Sequence, residues 1–219
     1  MTFDNANPQA TALVDRVRHV ILRPRLEWPV IEAEFATVKS IFVPYAVILT
    51  AVGPMAGLLG SQLFPIRAFG VVYRPDVISA LIQALVGWGL LLLGVLILSL
   101  IIDGLAPSFG GTKDRVKATK VAVYSMTPAW VAGVFNLLPS LTWLGSLLGL
   151  YSFYLLYLGL PGLMKAPEDK GLIYTIVVAI ASIILMGVIG GVVASLVTFN
   201  TWGWTGPGTG AGMGPLVFG

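Results

Sequence analysis

The chain has 219 residues, 57% of them hydrophobic and only 11% charged, with a formal net charge of +3 and no cysteine. Soluble domains carry about 25% charged residues, so this composition belongs to an integral membrane protein. It excludes disulfides, zinc-cysteine sites and a thiol nucleophile, and no basic tract with interleaved aromatics offers a nucleic-acid surface.

Asn7 followed by Pro8 is a helix-start signal, a cap and then a first-turn proline. Beyond it Leu13, Val14, Val17, Val20 and Ile21 repeat on one helical face, with Asp15, Arg16, Arg18 and His19 largely off it. The spacing predicts a short basic amphipathic helix ended by Pro24. Such a helix can lie in the headgroup plane, with Trp28 at the same depth, or pack on the ends of the spans. Residues 1–40 form this polar N-terminal segment. The first apolar run starts about forty residues in, behind charged sequence, and reads as an uncleaved anchor rather than a signal peptide.

A helix of about 20 apolar residues crosses a hydrocarbon core of roughly 30 Å. Five runs reach or approach that length, at about 41–64, 78–102, 121–138, 141–164 and 172–199. The expected fold is therefore all-α, a five-helix transmembrane bundle. Pro54 should kink the first span, Gly87, Gly89 and Gly94 break the second, and Pro128 interrupt the third. Residues 65–77 and 103–120 read as polar loops. Pro139 and Ser140 leave so short a connection that the third and fourth runs must be antiparallel neighbours. The fourth and fifth meet at Lys165, Glu168, Asp169 and Lys170, a tight charged turn with Pro167 as the helix stop. Residues 200–219 form a glycine-rich tail with Trp202 and Trp204 near the expected interface.

The cations are divided unequally by this topology. Arg16, Arg18, Arg23, Arg25 and Lys39 precede the first span, Lys113, Arg115, Lys117 and Lys120 lie in the second loop, and Lys165 and Lys170 in the fourth; only Arg67 and Arg74 fall on the other side. By the positive-inside rule the N-terminus is cytoplasmic and the tail extracytoplasmic.

Enzyme readings are poorly supported. His19 is the only histidine, so no histidine triad or multi-histidine metal site can be built. FGGT at Phe109 to Thr112 lacks the spacing of a phosphate-binding loop. Asp103 directly follows Ile102; it is either a buried functional carboxylate or a helix-terminal residue in water. No cofactor is expected. The pairs Gly53/Gly57, Gly145/Gly149 and Gly187/Gly191 are GxxxG motifs that serve either internal packing or homo-oligomer contacts. Tyr151, Tyr154 and Tyr157 recur every third residue, either as packed hydrogen-bonding groups or as ligand contacts.

Three stretches carry a resemblance: ILRPRLEW at Ile21 to Trp28, FGGT through KATKVAVYSMTP from Phe109 to Pro128, and YSFYLLYLGLPGLMKAPEDKG from Tyr151 to Gly171. In these the chain resembles the bacterial branch of the Yip family of multi-span membrane proteins. The resemblance implies a five-span fold with a cytosolic N-terminus, set in the bacterial inner membrane. Eukaryotic relatives are membrane adaptors for Rab-type GTPases, but their Asp-Leu-Tyr-Gly-Pro run is absent here. The expected function is a non-enzymatic scaffold whose cytoplasmic face recruits an unidentified protein or anionic lipid headgroups. That face comprises Arg16, Arg18, Arg23, Arg25, Asp103, Lys113, Arg115, Lys117, Lys165, Glu168, Asp169 and Lys170. The alternative is a channel, carrier or lipid-moving protein with a polar path along Tyr124, Asn136, Tyr151, Tyr154 and Tyr157.

Overall fold

The computed structural model describes the backbone of residues 8–64, 66–68, 71–73 and 75–202, with side chains from residue 12 onward except in the 66–73 hairpin, at 139 and over 196–202. The tail beyond 202, Trp204 and Arg74 lie outside the described residues. Nine α-helices and one hairpin are described: α1 (Pro8–Leu22), α2 (Pro24–Ala33), α3 (Val38–Ile41), α4 (Val47–Leu63), strands β1 (Ile66–Ala68) and β2 (Val71–Tyr73), α5 (Val77–Leu105), α6 (Arg115–Ser125), α7 (Thr127–Ala132), α8 (Thr142–Met164) and α9 (Glu168–Trp202).

Local chemistry explains most boundaries. Pro24 ends α1 and also opens α2 at its first turn, where its missing N–H costs nothing. Thr37 and Ser40 form a reciprocal capping box on α3. Pro44 removes a ladder donor, and residues Phe42–Ala46 answer with a π turn before α4. Asp76 caps α5 by accepting the Ser79 amide at 2.9 Å; bonds from the Ser79 side chain and backbone hold its carboxyl below the ordinary value. Asp114 caps α6 on the amides of Val116 and Lys117, each at 3.0 Å.

Four helical stretches among the described residues are long and apolar enough to cross a membrane: Val38–Leu63, Val77–Phe109, Thr142–Met164 and Glu168–Ser195. These match four of the five expected runs. The stretch expected at 121–138 is not one helix. It begins earlier, at Arg115, turns at Met126 ahead of Pro128, and passes through α7 into 3-10 turns at Gly133–Leu137 and Pro139–Leu141. Pro128 cannot donate into the ladder, so regular bonding resumes only with the Trp130 amide on the Met126 carbonyl. The first part of this broken segment is nonetheless fully buried, with Ala118, Val121, Ala122 and Val123 at 0% exposure.

Helix α5 runs unbroken past Gly87, Gly89 and Gly94, where a break was expected, and α4 is one helix with Pro54 inside it. The loop read at 65–77 contains the antiparallel pair β1–β2, with Arg67 opposite Val72.

Glycines fix the register of the broken segment. A Cβ on Gly133 would lie 2.7 Å from the Gly53 Cα, and one on Gly60 would lie 2.5 Å from the Leu137 carbonyl oxygen. The segment therefore runs parallel to α4 and in direct backbone contact with it. It returns antiparallel along α8, where Gly145 faces the Ala132 carbonyl and Gly149 faces Ala129. Two of the three GxxxG pairs thus serve internal packing. Added Cβ atoms at Gly187 and Gly191 meet no described atom within 4 Å. Alanine at both positions is expected to leave thermal stability in detergent unchanged or slightly raised, by up to about 1 kcal/mol per site from helix propensity. A fall in melting temperature would reveal a contact outside the single chain.

Candidate functional site: the layer at the basic end

Helices α1 to α3 form a layer around α6 and α8 at the end of the bundle that holds most of the cations. The α1–α2 angle lets Arg16 reach two carboxylates, Glu27 through Nη1 and Glu34 through Nη2, both at 2.6 Å. Its guanidinium also lies over the Tyr124 ring at 5.9 Å. His19 Nδ1 stands 3.9 Å from the second Glu27 oxygen. Beneath, Tyr45 meets Tyr124 edge-on at 4.9 Å and shares a 2.9 Å hydrogen bond with the Thr127 hydroxyl.

Lys120 is the second clamp. Its side chain is buried, and Nζ donates to the carbonyls of Ile31 and Glu34 at 2.6 Å each. These carbonyls end α2 and would otherwise be orphaned. Lys117 Nζ reaches Glu32 at 3.1 Å, and the Tyr151 hydroxyl donates to the Ile21 carbonyl at 2.9 Å. Trp28 seats its ring against α8 at Gly159, where a Cβ would come within 2.5 Å of it. A bulkier residue such as Val at 159 must expel the indole and is expected to cost about 2–3 kcal/mol in thermal unfolding; an unshifted Tm would mean the layer is not held there.

The charged turn has a structural explanation. Lys165 takes the left-handed conformation, φ 53°, that closes α8, with its amide on the Gly162 carbonyl and the Ala166 amide on the Pro161 carbonyl. Pro167 precedes α9, and Glu168 and Asp169 stand in its first turn, where negative charge suits the helix dipole. FGGT docks on the same corner: Gly110 is left-handed at φ 75°, the Thr112 amide donates to the Met164 carbonyl at 2.8 Å, and a Cβ on Gly111 would sit 2.7 Å from that oxygen.

Of the residues expected on the interaction face, Arg18, Arg23, Arg25, Lys113, Arg115, Lys165, Glu168, Asp169 and Lys170 are exposed there. Arg16 and Lys117 are instead engaged in ion pairs within the layer. Asp103 is half-buried at the last full turn of α5, and its Oδ1 is buried without a hydrogen-bond partner among the described residues. Sequence reasoning did not find the Arg16–Glu27–Glu34 and Lys120 clamps. Their only signal was the cluster of glutamates at 27, 32 and 34, following the arginines at 16, 18, 23 and 25.

The alternative polar path is not assembled. Tyr124 is buried in the layer, Tyr154 is 38% and Tyr157 47% exposed on the outer surface of α8, and Tyr151 stacks obliquely on Tyr154. Among the five residues only Asn136 lines the large cavity between α4, α5, α7, α8 and α9. No cluster of three His, Asp or Glu among the described residues could hold a metal ion.

The stretches Ile21 to Trp28, Phe109 to Pro128 and Tyr151 to Gly171 thus meet in one place, through Trp28 on Gly159, Thr112 on Met164 and Lys120 on α2. The sequence pattern described as the Yip1 domain matches residues 18–199, which take in all three. The chain belongs to the Yip1 domain family. This Yip1-domain protein is similar to the inner membrane protein YohC of Escherichia coli K12, 25% identical over 186 residues, which cover 83% of this chain and 92% of the relative. The same figures hold for YohC of E. coli O6:H1. No solved structure is a significant match. The match begins inside α1, at residue 18, two residues past Arg16, and takes in Glu27, Glu34 and Lys120.

Proposed function

We propose that this inner-membrane Yip1-domain protein is a non-enzymatic scaffold, crossing the bilayer five times, whose cytoplasmic surface recruits a protein partner and anionic lipid. The observation that carries the reading is the clamped layer: Arg16 and Lys120 hold α1 and α2 rigidly, and the outward side of that layer combines exposed cations with exposed apolar residues. Arg18, Arg23 and Arg25 are exposed, as are Leu22 at 66%, Leu26 at 70% and Phe35 at 97%. Apolar side chains that enter the leaflet and cations that meet its headgroups are how interfacial helices bind membranes. Each cation near an anionic surface contributes about 1 kcal/mol.

The fifth crossing is supported by register. Residues 112–137 begin beside Met164 at one end of α8 and finish beside Gly60, near the far end of α4. That course follows α8 from Met164 to Gly145, although no single helix in it reaches span length. With five crossings the eleven-to-two division of cations favours α1 to α3 in the cytoplasm and the C-terminus outside.

The test is charge reversal at Arg18, Arg23, Lys113 and Arg115 together, all exposed and outside the clamps. The variant should fold with unchanged Tm yet retain less phosphatidylglycerol and lose its photo-crosslinked partners in native membranes. Undiminished lipid retention together with an unchanged crosslinking pattern would refute the recruiting face.

A further inference from the structure

We propose that the cavity on the far side of the Met126 break holds the hydrocarbon chain of a membrane phospholipid, admitted sideways between α8 and α9. The break makes the space. At the basic end α6 packs between α5 and α8, but beyond Met126 the chain moves onto α4, with Gly133 against Gly53 and the Leu137 carbonyl against Gly60. Ala84 and Leu91 of α5 and Met186 and Ile189 of α9 are left facing a volume of about 1340 Å³. Pockets for drug-sized ligands measure about 300–1,000 Å³. No described residue lining it is ionisable.

The occupant follows from the surroundings. The cavity lies among helices that cross the membrane, and its wall is incomplete toward the bilayer: Ile183 lines it yet is 58% exposed, Ser146 and Gly190 line it and are exposed, and a Cβ on Gly190 would meet no described atom within 4 Å. An apolar space of this kind holds water poorly and forfeits dispersion contacts when empty. Acyl chains are the apolar molecules in contact with the opening.

Two amides mark where the lipid's ester or hydroxyl groups would sit. The Gln83 side chain lines the cavity and makes no hydrogen bond among the described residues; the Asn136 Nδ2 reaches only the Gly53 carbonyl, at 3.5 Å. Gln83 is seven residues from the Asp76 cap, about 10 Å along the helix, a depth suited to a glycerol ester. The basic end is closed by Val95, Leu98, Val121 and Leu155, all at 0% exposure, so the chain is bound there and not conducted through. This inference does not rest on the recruiting face.

A phospholipid with a diazirine in mid-chain, reconstituted with the full-length protein and irradiated, tests it. Adducts are expected on the buried lining residues Ala84 and Trp130 as well as on the outward-facing Ile184, which is 62% exposed. Gly190→Trp fills the space from α9 and should abolish the Ala84 and Trp130 adducts while those on Ile184 persist. Ser146→Trp does the same from α8, so a folding failure in one leaves the other. Adducts confined to Ile184 in the unsubstituted protein, or Ala84 adducts that survive a folded filling variant, overturn the proposal.

Discussion

Replacing Gly60 by alanine is expected to destabilise the bundle by about 3 kcal/mol, and Gly133→Ala by a similar amount, the upper range for overpacking. At Gly60 the added methyl would sit 2.5 Å from the Leu137 oxygen, 2.6 Å from the Asn136 oxygen and 2.9 Å from the Leu137 carbonyl carbon. At Gly133 it would meet Gly53 Cα at 2.7 Å and N at 2.9 Å. All five are backbone atoms, so no rotamer can relieve the overlap; the broken segment must leave α4. Two controls lie on the same helix. A Cβ at Gly53 finds its nearest neighbour at 3.5 Å and one at Gly57 at 3.9 Å, ordinary contact distances, so alanine should be tolerated at both. Thermal unfolding of the four single variants in detergent gives the answer. A large drop at 60 and 133 with little change at 53 and 57 is expected, and equal shifts at all four would mean that the segment does not press on α4.

Arg16→Ala is expected to cost about 3 kcal/mol, the low end for breaking a buried ion pair because Arg16 and Glu34 keep some solvent contact. The loss is dominated by Glu27, whose side chain is only 11% exposed and would be left charged without its partner at 2.6 Å. Glu34 is 43% exposed and recovers water more easily. The double variant Arg16→Ala with Glu27→Gln should regain much of the loss, since the orphaned charge is removed. Hydrogen exchange across residues 12–22 should accelerate in the single variant while α5 and α9 stay protected. Fully additive effects of the two substitutions, or unchanged protection of α1, would show that Arg16 does not clamp the layer.

How legible all this was depended on the kind of force involved. Spans near 78–102 and 141–164 could be read closely because a charge-free run of membrane length has few other fates, and Asp76 and Lys165 announce the ends. The 121–138 stretch was read with the wrong start and without its 3-10 turns. Its helix begins at Arg115 and takes Lys120 inside, a charge that reads as loop until α2 supplies carbonyls 2.6 Å away. Helix α2 went unrecognised because Pro24, Pro29 and its alternating charges look like a linker; Trp28 and Ile31 are its buried face only once α8 is beside them. The clamps depend on the crossing of α1 and α2, which no local pattern encodes. Pro128 was visible as an interruption, but its consequence, a lateral shift that opens a cavity, requires knowing that Gly53 and Gly60 would receive the displaced chain.

The central claim is that the chain crosses the membrane five times, with the clamped basic layer in the cytoplasm. The absence of cysteine makes single-cysteine labelling clean. Ser140, exposed between the broken segment and α8, and Lys113, exposed ahead of α6, are the two positions to compare. With a membrane-impermeant maleimide applied to spheroplasts, the account predicts that Ser140→Cys is labelled at once and Lys113→Cys only after lysis. Labelling of Lys113→Cys in intact spheroplasts, or protection of Ser140→Cys until lysis, would contradict it.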